Sequence, residues 1–250
     1  MIYEFVTKST FARFMINSLM RGNKIKLRGK GNLFSGRLSP VCLRCDTRVF
    51  GGGNQIKLNG GSFKNVSIFI EGDNNTITLG NVRLKDVLVF ICGNGSAVNI
   101  SDNCVINNAE FGIEGNGSEI KIEKDVQIGG FAWLNGRTNR TDMVGMYAMA
   151  GKKITADSGS RISDGVIVRN SDSHTIKEKG GNIINPPRDV FIGKNVWICS
   201  GALLLKGSRV GNGSIVGARA VTSKDFSQTE NALIAGIPAK IIKEDVYWSL

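Results

Sequence analysis

The sequence has little histidine, little proline and no long apolar run. Its 250 residues include one histidine and four prolines. No apolar run reaches the roughly 18 residues that a bilayer-spanning helix needs, and the N-terminus lacks the signal-peptide order of a basic region, an apolar core and a cleavage site. We therefore expect a cytoplasmic protein without a membrane span.

Cysteine is also scarce, and its pattern excludes two common uses. The five cysteines are odd in number, which argues against a disulfide framework, and they include one CxxC pair, Cys42 and Cys45. A structural zinc site needs a second well-spaced ligand pair. A three-histidine zinc shell shared between subunits would receive at most two histidines from two such chains. No metal is predicted, and the cysteines are expected to be reduced and mostly buried.

The charge is strongly one-sided, at +11. Such an excess favours an anionic ligand, which could be a CoA-type phosphate cofactor or an acidic glycan, but a solvated basic surface is an equal alternative. No basic run is interleaved with aromatic residues, and no nucleic-acid-binding motif appears, so nucleic acid is not predicted as a partner.

The 32 glycines suit many tight corners, and one stretch, residues 190–221, shows what those corners join. Read in sixes from Ile192, every first position is aliphatic and every fifth is small or β-branched. Neither a helix nor a single strand repeats strictly at six. A hexad repeat predicts a solenoid whose coil is a triangle of short strands, with Asn and Gly at corners that need a positive φ.

These hexads resemble the repeats of the hexapeptide-repeat acyltransferases. The resemblance implies an all-β fold, the left-handed parallel β-helix. The handedness comes from the family, because the usual crossover rule would predict right-handed coils.

The rest of the chain is divided around this solenoid. Residues 1–22 predict a short amphipathic helix that caps the open end, with a membrane-surface helix as the alternative. Looser repeats begin at Asn23, so the β-helix is predicted over 23–221, with external loops at about 131–159 and 175–189. Residues 222–250 are expected to form a turn and a C-terminal cap.

The only histidine, His174, is the main candidate for chemistry. A lone histidine is more often structural, but this one follows Asp172 in a polar SDSH turn and precedes a long loop. Free imidazole titrates near pH 6.5, so a large neutral fraction at pH 7 can accept a proton from a hydroxyl. His174 also precedes Trp197 by a distance that predicts neighbouring coils.

The order SDSH (171–174), IIN (183–185) and IGKNVWI (192–198) is similar to the polysaccharide and sugar O-acetyltransferase branch of this superfamily. The resemblance implies that His174 is the general base, deprotonating an acceptor hydroxyl that attacks acetyl-CoA directly. It implies that Trp197 lies beside the acetyl group or acceptor, although a tryptophan could also simply cover a solenoid face. Asp172 could orient the imidazole, contact the sugar or form the turn.

The same resemblance implies a CoA groove between adjacent subunits. Ser200 and Ala218 match positions that contact the pantetheine arm, and Ser223-Lys224 matches a Thr-Lys turn whose lysine meets phosphate. Lys240 and Lys243 match basic positions near the adenosine phosphates, where lysines serve as point charges. Cys199 and Arg219 stand where glycine is common, and Ser223 replaces threonine.

The resemblance therefore implies an acetyl-CoA-dependent O-acetyltransferase acting on a bacterial surface-glycan sugar, and it implies a homotrimer. We expect the protein to be cytoplasmic or peripheral to the inner membrane. An N-acetyltransferase for an amino sugar, or an antibiotic acetyltransferase, is the alternative enzyme. A non-catalytic scaffold of stacked coils is the alternative without chemistry.

Overall fold

The computed structural model describes residues 22–36, 41–130 and 142–249. They form nine stacked coils, each of three short parallel strands, so that the solenoid has three faces. We call these faces I, II and III, and name each corner by the two faces that it joins. No helix in these three ranges is long and apolar enough to cross a membrane.

Each face collects one strand, or part of one, from every coil. Three long strands, β6 (Gly61–Glu71), β8 (Val82–Cys92) and β10 (Val105–Glu114), turn corner I–II and contribute to faces I and II. Face I contains β3 (Val41–Leu43), the first parts of β6 (Gly61–Glu71), β8 (Val82–Cys92) and β10 (Val105–Glu114), then β12 (Gln127–Ile128), β15 (Arg161–Ile162), β18 (Trp197–Ile198), β21 (Ile215–Val216) and β24 (Leu233–Gly236).

Faces II and III follow in the same way along the coil. Face II contains β1 (Lys24–Arg28), β4 (Asp46–Phe50), the second parts of β6, β8 and β10, then β13 (Val144–Met149), β16 (Ile167–Arg169), β19 (Leu203–Leu204) and β22 (Val221–Thr222). Face III contains β2 (Leu33–Gly36), β5 (Gln55–Leu58), β7 (Thr76–Leu79), β9 (Ala97–Ile100), β11 (Glu119–Ile122), β14 (Lys153–Ala156), β17 (Val190–Ile192), β20 (Arg209–Val210) and β23 (Asp225–Phe226).

The hexad prediction is confirmed by burial. The aliphatic first positions and the small fifth positions all point into the solenoid and are at most 1% exposed. Alternate strand residues face outward, as the pleat requires. The residues concerned are Ile192, Ile198, Leu204, Val210 and Val216, with Val196, Ala202, Ser208, Ser214 and Ala220.

The corners need residues that tolerate close approach between coils. Gly72 has a φ of +130°, and a Cβ built on it would lie 2.0 Å from the Gly93 carbonyl oxygen of the next coil. Any side chain there would force the coils apart. Asn74, two residues later, also has a positive φ, which asparagine tolerates better than most residues. The predicted role of Gly and Asn as corner residues is confirmed.

A column of buried polar side chains links the coils at corner II–III. The Asn54 Oδ1 accepts from the Asn75 amide at 2.9 Å, and the Asn75 Oδ1 accepts from the Ser96 amide at 2.9 Å. The Ser96 Oγ accepts from the Ser118 amide at 3.2 Å. These side chains satisfy backbone donors that a sharp corner turns away from the sheets.

The predicted external loop at 131–159 is too long. Residues 131–141 lie outside the described residues, but β13 and β14 are coil strands that pair in parallel with the coils on both sides. Val144, Met146 and Ala148 are fully buried. The stretch VGMYAM was misinterpreted because glycine, tyrosine and methionine occupy its outward positions, which hides the alternation.

The predicted end of the solenoid at Val221 is too early. β23 and β24 continue the stack in parallel, with Ile234 fully buried. The cap is β25 (Ala239–Lys243), which pairs antiparallel to β24 and ends the parallel repeat. The predicted N-terminal helix lies outside the described residues.

All five cysteines are free thiols, as predicted, but Cys104 alone is buried and the other four are half-buried. The expectation that they are mostly buried was therefore wrong. Cys92 shows why, because it occupies an outward position in β8.

Replacing Asn75 tests the polar column. Asn75→Ala leaves the buried Ser96 amide and the Gly93 carbonyl without a side-chain partner. Unsatisfied buried groups are costly, so we expect the free energy of unfolding to fall by about 3 kcal/mol in urea titrations. Thr78→Ala, at an outward position of β7, is the control and should change the free energy of unfolding by less than about 0.5 kcal/mol. Equal effects of the two variants would contradict this role of the column.

Candidate active site

The only histidine lies in the loop of residues 170–189, which leaves the solenoid at corner II–III between β16 and β17. The base of the loop is closed, because the Arg188 amide donates to the Asn170 carbonyl at 3.0 Å. Asn170 is fully buried, and its Oδ1 accepts from the Met149 amide at 2.9 Å. The loop thus leaves from a rigid part of the stack.

Three side chains hold the loop in shape. Lys206, on the next coil, donates from Nζ to the Asp172 carboxylate and to the Asn185 carbonyl, the latter at 2.9 Å. The Asn185 Nδ2 donates to Asp172 at 2.9 Å and to the His174 carbonyl at 2.8 Å. Asn185 also accepts from the Ile176 amide at 2.6 Å. We call Asp172, Asn185 and Lys206 the loop anchor.

The anchor is an electrostatic unit. The Lys206 side chain is 12% exposed, so its ammonium is largely withdrawn from water. Lys206 and then Asn185 hold the pKa of Asp172 below its usual range, because both donate hydrogen bonds to the carboxylate. Asp172 therefore supports the loop by accepting hydrogen bonds from Lys206 and Asn185. The sequence did not indicate this role.

The His174 side chain is exposed and forms no hydrogen bond to any residue that the structure describes. Its neighbour Ser173 has a φ of +67° and accepts from the Arg169 guanidinium at 2.7 Å. The turn is thus fixed on both sides while both imidazole nitrogens are available. Such a group can accept a proton from a bound hydroxyl.

Trp197 lies on face I, facing outward and 38% exposed. Its indole Nε1 donates to the Ser163 Oγ at 3.2 Å. The Trp248 ring packs against it at a centroid distance of 6.1 Å, and the Trp248 Nε1 donates to the Asn195 carbonyl at 2.8 Å. The C-terminal segment therefore returns to face I and covers part of the Trp197 ring.

Ser200 and Ala218 lie together at corner I–II, one coil apart and both exposed. The Arg219 amide donates to the Ser200 carbonyl at 3.0 Å, so the two corners stack directly. Arg219 has a φ of +56°, which explains why glycine is favoured at this position.

Ser223 and Lys224 lie at corner II–III, where they border a depression of about 550 Å³. Arg188 and Arg209 also line it, so three cations face two carboxylates, Asp189 and Asp225. The Arg209 guanidinium lies 3.6 Å from Asp225. The local excess of positive charge suits a phosphate-bearing ligand.

Lys240 and Lys243 lie on β25, opposite Ala235 and Leu233 of β24, and both are exposed. They extend the end of face I, not the depression at corner II–III. Within the described ranges, no three His, Cys, Asp or Glu side chains are grouped closely enough to hold a metal ion.

The predicted site residues thus form two groups. His174, Asp172, Ser223 and Lys224 belong to corner II–III, whereas Trp197, Ser200 and Ala218 belong to face I and corner I–II. His174 precedes and Trp197 follows the face III strand β17, and β18 stacks on β15, so the two residues lie on neighbouring coils as expected, but His174 is at corner II–III and Trp197 on face I. One chain does not bring the two groups together.

Several residues of the site were not identified from the sequence. The role of Lys206 could have been suspected, since 18 residues, one coil, separate it from Arg188 at the end of the loop. The roles of Arg169 and Arg209 carry no comparable signal, because outward arginines on strands are usually solvated.

Comparison with known proteins agrees with this architecture. No family model matches the chain. Two crystal structures share the fold over nearly the whole chain: the polySia-specific acetyltransferase NeuO (TM-score 0.62, 23% identity, 92% of this chain and 89% of that one) and the polysialic acid O-acetyltransferase OatWY (TM-score 0.63, 23% identity, 91% of each). The predicted fold class, a left-handed parallel β-helix, is confirmed.

Curated relatives match shorter segments. The putative lipopolysaccharide biosynthesis O-acetyl transferase WbbJ of Escherichia coli K12 is 47% identical over 55 residues, which is 22% of this chain and 27% of the relative. The galactoside O-acetyltransferase of the same strain is 34% identical over 71 residues (28% and 33%). A chloramphenicol acetyltransferase of Agrobacterium fabrum is 39% identical over 67 residues (27% and 31%).

The comparisons therefore show the fold over nearly the whole chain, and they show sequence similarity to acetyltransferases over about a quarter of it. These matches cover about a third or less of each curated relative's length. Membership of the hexapeptide-repeat acyltransferase superfamily and the reaction that this chain catalyses are therefore both matters for proposal.

Replacing Lys206 tests the loop anchor. Lys206→Met keeps the length of the stem but removes both ammonium hydrogen bonds. We expect the Asp172 pKa to rise toward its usual range and amide hydrogen exchange to accelerate across 171–185, measured by NMR and mass spectrometry. Because the depressed pKa of Asp172 favours the anchored loop above that pKa, the wild-type loop should stay protected down to the pH at which Asp172 is protonated.

Lys179→Met, an exposed lysine on the same loop, is the matched control. Equal protection of 171–185 in both variants would show that Lys206 does not hold the loop.

Proposed function

We propose that this chain is an acetyl-CoA-dependent O-acetyltransferase that acetylates a sugar hydroxyl of a bacterial surface polysaccharide or its precursor. The observation that carries the proposal is the exposed His174 imidazole, presented by an anchored turn and without another partner among the described residues. The O-acetyl transfer named for WbbJ and for the galactoside enzyme supports the reaction type.

The proposed mechanism is direct transfer. The His174 imidazole accepts the proton of the acceptor hydroxyl while the oxygen attacks the thioester carbonyl of acetyl-CoA. The new ester C–O bond forms, the C–S bond breaks, and the imidazolium returns the proton to the departing thiolate. Base catalysis of this kind contributes about 10²- to 10⁴-fold in rate.

Acetyl-CoA would be held at the corners. Ser200 and Ala218 would contact the pantetheine arm at corner I–II, with Trp197 near the acetyl group or acceptor. Ser223 and Lys224 would meet phosphate at corner II–III, aided by Arg188 and Arg209. Lys240 and Lys243 would meet phosphates at the end of face I. In this proposal the Ser223-Lys224 turn and the β25 cap are the parts of the C-terminal region that bind CoA.

The division of the residues supports a cyclic homotrimer. In a head-to-tail ring, corner II–III of one subunit can face corner I–II of the next. This arrangement would bring His174 of one chain to Trp197 and Ser200 of its neighbour. A single chain cannot do so, because the two corners flank face II.

Replacing His174 tests the chemistry. His174→Ala should lower kcat/KM for acetyl transfer by about 10²-fold or more, because the reacting hydroxyl loses its general base. CoA affinity by calorimetry and the thermal unfolding midpoint should stay at wild-type values, since the imidazole makes no contact that supports the described structure. Wild-type turnover by this variant would refute the proposal.

Subunit mixing tests the shared site. Chains with His174→Ala and chains with Ser200→Trp should each be inactive alone. Co-expressed, they should recover about a quarter of wild-type activity, because random mixing makes the competent junction about one time in four. A mixture no more active than its parents would place the whole site within one chain.

An antibiotic or amino-sugar acetyltransferase is the second candidate, favoured by the match to chloramphenicol acetyltransferase. An acceptor screen separates the candidates. Ester products are cleaved by alkaline hydroxylamine, whereas amide products are not.

A further inference from the structure

A pocket of about 240 Å³ opens on face II beside the turn that carries His174. It is separate from the depression at corner II–III, and none of the predicted site residues lines it. Its lining includes Phe90, Gly112, Glu114, Tyr147, Arg169 and Ser173. Ser173 directly precedes His174, so the pocket and the imidazole share one turn.

The pocket lies beside a glycine in a column of large outward side chains. Phe90, Gly112, Tyr147 and Arg169 occupy equivalent outward positions on four successive coils. The rings on either side lean over Gly112. A Cβ added there would lie 2.4 Å from the Phe90 Cζ and 2.9 Å from the Tyr147 Cδ1. Any side chain at position 112 would therefore displace the rings.

The pocket walls carry both a hydrogen-bond donor and a hydrogen-bond acceptor, and sugar hydroxyls bind to both. The Arg169 guanidinium donates one hydrogen bond to the Ser173 Oγ at 2.7 Å and has further N–H donors for a ligand. The Glu114 carboxylate is exposed and forms no hydrogen bond or ion pair with the residues that the structure describes. Charged groups of this kind form the stronger hydrogen bonds to hydroxyls, and an aromatic ring provides the apolar surface.

The pocket lacks the excess of positive charge that the whole chain carries. Burial raises the pKa of Tyr147, and Glu110 raises it further by its charge and by accepting a hydrogen bond. Burial, Glu71 and Glu114 likewise raise the pKa of the Cys92 thiol. The pocket lining thus holds one carboxylate, Glu114, against the guanidinium of Arg169, with Glu110 close by at Tyr147, so it offers an anionic ligand no net positive charge.

We propose that this pocket binds the acceptor as a neutral pyranose, with its C–H face on Phe90 and its hydroxyls shared between Glu114 and Arg169. The inference rests on the proposed acetyl transfer and names its acceptor class. The ligand contacts would orient one hydroxyl toward the turn of His174. The surplus positive charge of the chain would then serve the phosphates of acetyl-CoA, not the sugar.

Direct binding tests the sugar class without requiring catalysis. Saturation-transfer NMR on the full chain with CoA present should show contact to neutral methyl hexopyranosides and little contact to the matched methyl glucuronide. A stronger signal from the glucuronide would overturn the neutral class. The absence of binding by any neutral sugar, in a protein that still acetylates an acceptor, would overturn the pocket.

Two variants locate the site. Glu114→Gln and Gly112→Ala should each raise the sugar Kd and the acceptor KM about tenfold or more, while the KM for acetyl-CoA stays unchanged. Glu71→Gln is the matched control, because Glu71 and Glu114 lie in register on either side of Cys92 but Glu71 is outside the pocket. It should behave as the wild type.

The outcomes separate the two proposals. Wild-type sugar affinity in both pocket variants, with activity still lost in His174→Ala, would refute the pocket and keep the transferase. Neutral-sugar binding that Glu114→Gln weakens, in a chain that acetylates no hydroxyl, would keep the pocket and refute the transferase.

Discussion

The parallel pairing of each coil with the next is the constraint on which the whole structure depends. Apart from the β25 cap, the strands pair in register with the equivalent strand one coil away, so equivalent positions form columns along the solenoid. An inward position must therefore fit the residues above and below it as well as its own coil. Buried corner groups such as Asn75 and Ser96 meet the same demand by bonding to the backbone of the adjacent coil.

Because of this constraint, residue types vary mainly at the outward positions and corners of the solenoid. Most inward positions hold aliphatic or small residues, with Phe63, Phe111 and Met146 as larger exceptions. Outward positions and corners can carry any side chain that the stacking tolerates. The His174 loop uses one such corner, and its anchor reaches to Lys206 on the following coil. The loop has no regular secondary structure, but its hydrogen bonds to Lys206 fix it to the rigid stack of coils. A preorganised base of this kind is what proton transfer requires.

The distribution of charge suggests how one surface can serve two different substrates. Arg188, Arg209 and Lys224 gather at corner II–III, while Glu110 and Glu114 lie on face II. The cations at corner II–III can bind phosphates, and the carboxylates on face II can accept hydrogen bonds from hydroxyls. The net charge of +11 describes neither region.

The sequence by itself determined the repeat, the three-sided coil, the inward residues from Ile192 to Ala220 and the one histidine, because a six-residue period leaves a direct trace in residue order. Tertiary structure decided the rest. Strand β13 was missed because its outward residues, Gly145, Tyr147 and Met149, hide the alternation of inward and outward positions. The role of Asp172, the division of His174 from Trp197 and the gap over Gly112 depend on which coil lies beside which, and contacts between coils leave no local pattern in the chain.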